Sequence, residues 1–116
     1  MKIGIHGPIQ DFNLSTLKEI VSRFDYIESY VGKCLCQEEI QDSTDMVLAH
    51  PHDQQQCFEK LKEVIRSHPQ IEFYLINLNG PYQEERQNGI GHCPNLVYLS
   101  RPGDISILIE KIHSLK

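Results

Sequence analysis

Two hydrophobic periods run through this chain and divide it into short strands and longer helices. Lys2 to His6 is a short apolar strand, broken by Gly7-Pro8, and residues 8–13 read as loop. Leu14, Leu17, Val21 and Phe24 recur at helical spacing with Lys18, Glu19 and Arg23 on the other face, and Asn13 stands as the expected N-cap. Tyr26 to Val31 predicts a second strand ending at Gly32, Cys36 to Gln41 a short helix, and Met46 to His50 a third strand. Gln54 to His68 carries a stripe of Phe58, Leu61 and Ile65 and is stopped by Pro69, which predicts a helix. Ile71 to Ile76 is apolar almost throughout and predicts a fourth strand. Residues 77–95 are rich in Gly, Asn and Pro and read mostly as loop. Leu96 to Leu99 predicts a fifth strand, and Asp104 caps a last helix buried through Ile105, Leu108, Ile109, Ile112 and Leu115.

Strands alternating with helices imply right-handed βαβ crossovers and a parallel sheet. Nearly continuous apolar strands fit burial on both faces. The expected fold is therefore α/β with a five-stranded parallel sheet, in one domain over residues 1–116. In such a sheet ligands bind beyond the carboxyl ends of the strands. Those ends carry Gly7, His50, Asn77 and Ser100-Arg101.

Composition narrows the function classes. Eleven basic residues against sixteen acidic ones give a net charge of −5, which argues against nucleic acid as a partner. No apolar run approaches the roughly 18 residues a membrane span needs. The N-terminus has one Lys and no long apolar stretch, so a signal peptide is not expected. The expectation is a cytoplasmic protein whose cysteines (Cys34, Cys36, Cys57, Cys93) are reduced thiols.

The segment Val97-Tyr98-Leu99-Ser100-Arg101-Pro102-Gly103-Asp104, followed by an Ile/Leu-rich helix, resembles the end of a response-regulator receiver domain. Asp45-Met46-Val47-Leu48-Ala49-His50-Pro51 is similar to the receiver strand that ends in the phosphoacceptor. The resemblance implies the three-layer flavodoxin-like (CheY-like) fold. It puts His50 at the phosphoacceptor position, Asn77 at the switch position and Tyr98 at the aromatic one. Arg101 falls at the lysine and Pro102 at the proline after it. Where receivers hold Mg²⁺ with two acidic residues, this chain has His6-Gly7-Pro8, and Asp11 is the nearest acid. An imidazole is not a carboxylate nucleophile, and Mg²⁺ wants hard oxygen ligands. The resemblance therefore implies a pseudo-receiver: a signalling or regulatory module, not phosphorylated at the usual site, with no cofactor, acting by protein–protein interaction. Receivers dock partners or dimerise through their last strand and last helices. That favours a surface around Tyr98 and Ile107, which lies beside the core stripe.

A second resemblance gives the alternative. Ile5-His6-Gly7-Pro8 and the Asp45 to Ala49 strand partly resemble nucleoside 2-deoxyribosyltransferase-like proteins. That family implies a carboxylate nucleophile on the next helix, where Glu59 is the match, and a nucleoside or nucleotide substrate. The small residues expected around that Glu are replaced by Gln55, Gln56 and Leu61.

His6, His50 and His52 also form a candidate metal set at the strand ends, joined by Cys34 or Cys36 from the neighbouring loop, with Asp53 outside it. Cys-x-Cys is not the usual zinc spacing. The plainer reading has His6 and His50 partly buried and hydrogen-bonded, His52 solvated, and Cys57 a small packing residue on its helix. His92-Cys93 lacks the surroundings of a catalytic Cys/His pair.

Overall fold

The computed structural model describes residues 1–7, 12–50, 55–76, 93–99 and 105–114. Its elements run β1 (Lys2–His6), α1 (Phe12–Val21), β2 (Glu28–Gly32), β3 (Met46–Ala49), α2 (Gln55–Ser67), β4 (Glu72–Ile76), β5 (Leu96–Leu99) and α3 (Ile105–Ser114). Among the described residues the strands form one sheet in the order β2-β1-β3-β4-β5. Every neighbouring pair is parallel. The chain starts inside the sheet, steps out to β2, returns across β1 to β3, and then moves to the opposite edge. Its direction reverses between β1 and β3, and at such a reversal the loops beyond the strands part to leave a crevice.

Two apolar clusters sort the strand side chains by face. Ile3, Ile5, Met46, Leu48, Tyr74, Ile76 and Leu99 pack with Leu17 and Val21 of α1 and with Leu108 and Ile112 of α3. Val47, Ala49, Phe73, Leu75 and Leu96 pack with Phe58, Leu61 and Ile65 of α2. Successive strand side chains point to opposite faces, so these clusters are the two sides of the sheet, each covered by helix. All four residues of β3 are buried, which is why that strand shows no polar alternation.

Local polar contacts fasten the elements. The Tyr26 hydroxyl donates to the Ile112 carbonyl of α3 at 3.1 Å, one of the carbonyls a helix end leaves without an internal partner. Asn95 Nδ2 lies 3.1, 2.9 and 3.0 Å from the carbonyls of Ile65, His68 and Ile71, tying the end of α2 to the entry of β5. Asp45 stands at the opposite end of the sheet from His50, where its carboxylate accepts from the Lys2 amide at 2.8 Å.

Three sequence expectations shift. Residues 36–41 make no helix: they form a turn in which the amides of Gln37 and Glu38 donate to the Cys34 carbonyl. The segment has no apolar stripe to bury, and a short helix without one does not repay its nucleation cost. Glu38 instead accepts from the Lys33 amide at 3.2 Å. No helix therefore separates β2 from β3. Second, β2 begins at Glu28 rather than Tyr26, because Phe24 and Ile27 turn in to pack against the α1–α3 cluster. Third, Phe12 is already helical, so Asn13 lies inside α1 and is not its N-cap. Asp11, His52, Asp53, Asn77, His92, Arg101, Pro102 and Asp104 lie outside the described residues.

Candidate functional site

The carboxyl ends of β1, β2 and β3 bring together one imidazole network and one group of thiols. His6 is the last residue of β1 and is fully buried. Its Nδ1 donates to the Lys33 carbonyl at 2.9 Å. Its Nε2 lies 3.0 Å from the Tyr30 hydroxyl of β2. That hydroxyl also accepts from the Gln41 amide at 3.1 Å and meets Thr44 Oγ1 at 3.2 Å, and Thr44 in turn donates to the Gln41 carbonyl at 2.7 Å. The chain from Lys33 O through His6, Tyr30 and Thr44 to Gln41 O has four contacts. A neutral imidazole and two hydroxyls supply three protons for them, and a charged imidazole would supply the fourth. Burial nevertheless wins, and lowers the His6 pKa from its ordinary 6.5 against the Lys33 carbonyl, Glu38 and Cys34, which all favour the charged ring.

The thiols lie just beyond. Cys34 follows β2 by two residues, Cys36 shares its turn, and Cys57 is in the first turn of α2, after β3. Leu35, buried among the α2-side residues, holds the turn against the helix. Cys36 Sγ donates to Cys34 Sγ at 3.3 Å. Cys34 and Cys57 share a second S–H···S contact of 3.3 Å. All three sulfur atoms lie within 4.8 Å of one another. Cys34 and Cys57 are 3% and 2% exposed, while Cys36 is partly exposed. The hydrogen bond to Cys34, and then burial, push the Cys57 thiol pKa far up. Burial, and then the bond to Cys34, raise that of Cys36. None of the described cysteines is in a disulfide. A cavity of about 510 Å³ opens between this turn and α2, with Cys36 in its wall, Glu38, Glu39 and Asp42 on one side, and Lys60 on the other.

Among the described residues Cys34 and Cys36 thus gather with Cys57. Both ring nitrogens of His6 have hydrogen-bond partners. His50, just past β3, directs Nδ1 to the Ile76 carbonyl at 2.5 Å. In the sequence Cys57 reads as a packing residue, because it stands in an amphipathic stripe. The signal that finds it is topological: residues after β2 and after β3 meet where strand order reverses. Cys93 is buried in the α2-side cluster. Glu59 is exposed and borders a shallow depression lined, among the described residues, by Lys62, Glu63, Arg66 and Ser67 of α2.

Tyr98 and Ile107 do not share a face. Tyr98 neighbours Leu75 and packs with the α2-side cluster, where burial and the nearby Cys93 push its pKa up to about 12. Ile107 is 52% exposed on α3, whose Leu108 and Ile112 enter the opposite cluster. Val97, 42% exposed, neighbours Tyr74 and so shares the α3 side.

Comparison with known proteins finds no match among family models, curated proteins or solved structures. Among the described residues no helix is long and apolar enough to cross a membrane.

Proposed function

We propose that this chain is a non-catalytic regulatory module on a three-layer, flavodoxin-like scaffold of the receiver type, which acts by binding another protein or a second copy of itself. The strand order 2-1-3-4-5 is the one flavodoxin-like folds use. His50, which the receiver resemblance puts at the phosphoacceptor position, is engaged with a backbone carbonyl. At the end of β1 stands His6, buried and doubly hydrogen-bonded, where a receiver would need Mg²⁺-binding carboxylates.

The observation that carries the reading is the pair of exposed apolar side chains on the last strand and last helix. Val97 lies on the edge strand β5 and Ile107 on α3, on the same side of the sheet. Apolar groups left in water on an edge strand and the helix after it favour association. The docking surface is accordingly Val97 with Ile107, and Tyr98 belongs to the other face.

Two measurements test the reading together. Incubation with acetyl phosphate and Mg²⁺ leaves the intact mass unchanged, and sedimentation at rising concentration shows self-association that Ile107→Asp weakens. Gain of a phosphoryl group overturns the non-catalytic assignment. A wild type that stays monomeric restricts the surface to a different protein partner.

A further inference from the structure

We propose that Cys34, Cys36 and Cys57 form a three-thiolate binding site for a thiophilic closed-shell cation, Zn²⁺ or Cu⁺. The site rests on the thiol geometry and is independent of the protein-binding reading.

Thiolate sulfur is a soft donor, and three such donors select Zn²⁺ or Cu⁺ over Mg²⁺ or Ca²⁺. The three sulfurs already lie within 4.8 Å of one another. Around a tetrahedral Zn²⁺, with Zn–S bonds of about 2.3 Å, sulfurs stand about 3.8 Å apart. The two 3.3 Å pairs therefore need to open by only about half an ångström to admit the ion. Two elements supply the ligands. Cys34 and Cys36 come from one turn pinned by Leu35 and by the Glu38–Lys33 bond, and Cys57 comes from the first turn of α2. That division makes the ion a clip between the β2–β3 connection, which has no helix of its own, and the helix beside it.

Without an ion the arrangement is an awkward one for cysteine. Three S–H groups are packed on each other near the end of a sheet, and burial together with the S–H···S bonds to Cys34 keeps Cys36 and Cys57 protonated. A cation reverses this preference. On binding, the three S–H bonds break, three metal–sulfur bonds form, and three protons pass to solvent; nothing is oxidised or reduced. Glu38, Glu39 and Asp42 in the cavity wall add a negative potential that draws cations toward Cys36. Cu⁺ is satisfied by three thiolates. Zn²⁺ takes a fourth ligand, and the cavity beside Cys36 gives that position access to solvent or to a partner's side chain.

The test uses the whole reduced chain in anaerobic buffer with a phosphine reductant. Titration with Co²⁺, a spectroscopic substitute for Zn²⁺, should give a thiolate-to-cobalt charge-transfer absorption that saturates at one ion per chain and is bleached by Zn²⁺. A parallel arm competes the chain against a coloured Cu⁺ chelator, and the tighter of the two ions identifies the cation. Cys36→Ser, at the partly exposed ligand, should weaken binding by more than ~10-fold with unchanged circular dichroism, whereas Cys93→Ala should not change it. Bound metal should also protect Cys36, the partly exposed thiol, from iodoacetamide. Absence of the charge-transfer band together with no Cu⁺ retention overturns the site. So does binding that Cys36→Ser leaves intact.

Discussion

His6 and Tyr30 meet edge to face, with ring centres 5.3 Å apart, planes at 85° and Nε2 3.0 Å from the hydroxyl. The two rings sit across the β1–β2 pair, and two glycines make the room. A Cβ at Gly32 would lie 2.6 Å from His6 Cε1, and one at Gly4 would lie 2.5 Å from the Tyr30 hydroxyl. Period-2 reasoning treats a strand glycine as a weak point, whereas here each is the space that a polar ring occupies.

Tyr30→Phe removes a hydroxyl that His6, Thr44 and Gln41 all use. The ring stays but His6 Nε2 loses its partner in a buried setting. The expected loss is about 1–3 kcal/mol of stability, read as a lower urea midpoint at unchanged slope.

Gly32→Ala forces its new methyl into the His6 ring. Stability should fall by about 1–3 kcal/mol. The substitution should also loosen the Cys34 turn, since the Lys33 carbonyl is the acceptor of His6 Nδ1. Urea denaturation measures the first effect and hydrogen exchange at residues 33–38 the second.

Stability should decline as pH falls below about 6.5. Burial lowers the folded-state pKa of His6 below its ordinary value, so the unfolded chain binds the proton more readily. Folding is therefore favoured fully above the unfolded value and progressively less as pH falls through the folded one. The groups that favour the charged ring are the Lys33 carbonyl, Glu38 and Cys34. Denaturation midpoints between pH 7.5 and 5 should show the decline, with a smaller slope in His6→Gln; a flat profile in both would refute it.

Asn95→Ala should destabilise by about 1–3 kcal/mol, because the amide serves three carbonyls at the end of α2 and the approach to β4. The loss appears as a lower thermal midpoint.

Adjacent residues of α3 should behave oppositely. Ile107→Asp is expected to change stability by less than ~0.5 kcal/mol, since Ile107 projects into solvent. Leu108→Ala, inside the α1–α3 cluster, should cost about 2–5 kcal/mol. Thermal denaturation of the pair separates a surface position from a core position one residue away.

The candidate site was only half legible in the sequence. In the sequence Cys34 and Cys36 are candidate donors, but beside His6, His50 and His52. The structure gives His6 the Lys33 carbonyl and the Tyr30 hydroxyl as partners and sends His50 to the Ile76 carbonyl. Cys57 looked like filler because helical periodicity reports burial and not what a buried atom faces. Tyr30 passed as an ordinary strand residue, since a hydroxyl collecting partners from residues 6, 41 and 44 leaves no local trace.

The apolar runs by themselves determined that this chain is α/β with a parallel sheet, because a strand buried on both faces must be apolar at every position and helices must cover it. β3, β5 and the stripe of α2 could be read from the hydrophobic pattern alone, to within a residue or two. What only the tertiary structure decided is which strand ends become neighbours. Placing β1 between β2 and β3 carries the turn after β2 across to the start of α2, and so brings Cys34, Cys36 and Cys57 within 4.8 Å. Periodicity fixes the face of an element, but strand order comes from packing between elements distant in sequence, and here the chemistry follows strand order.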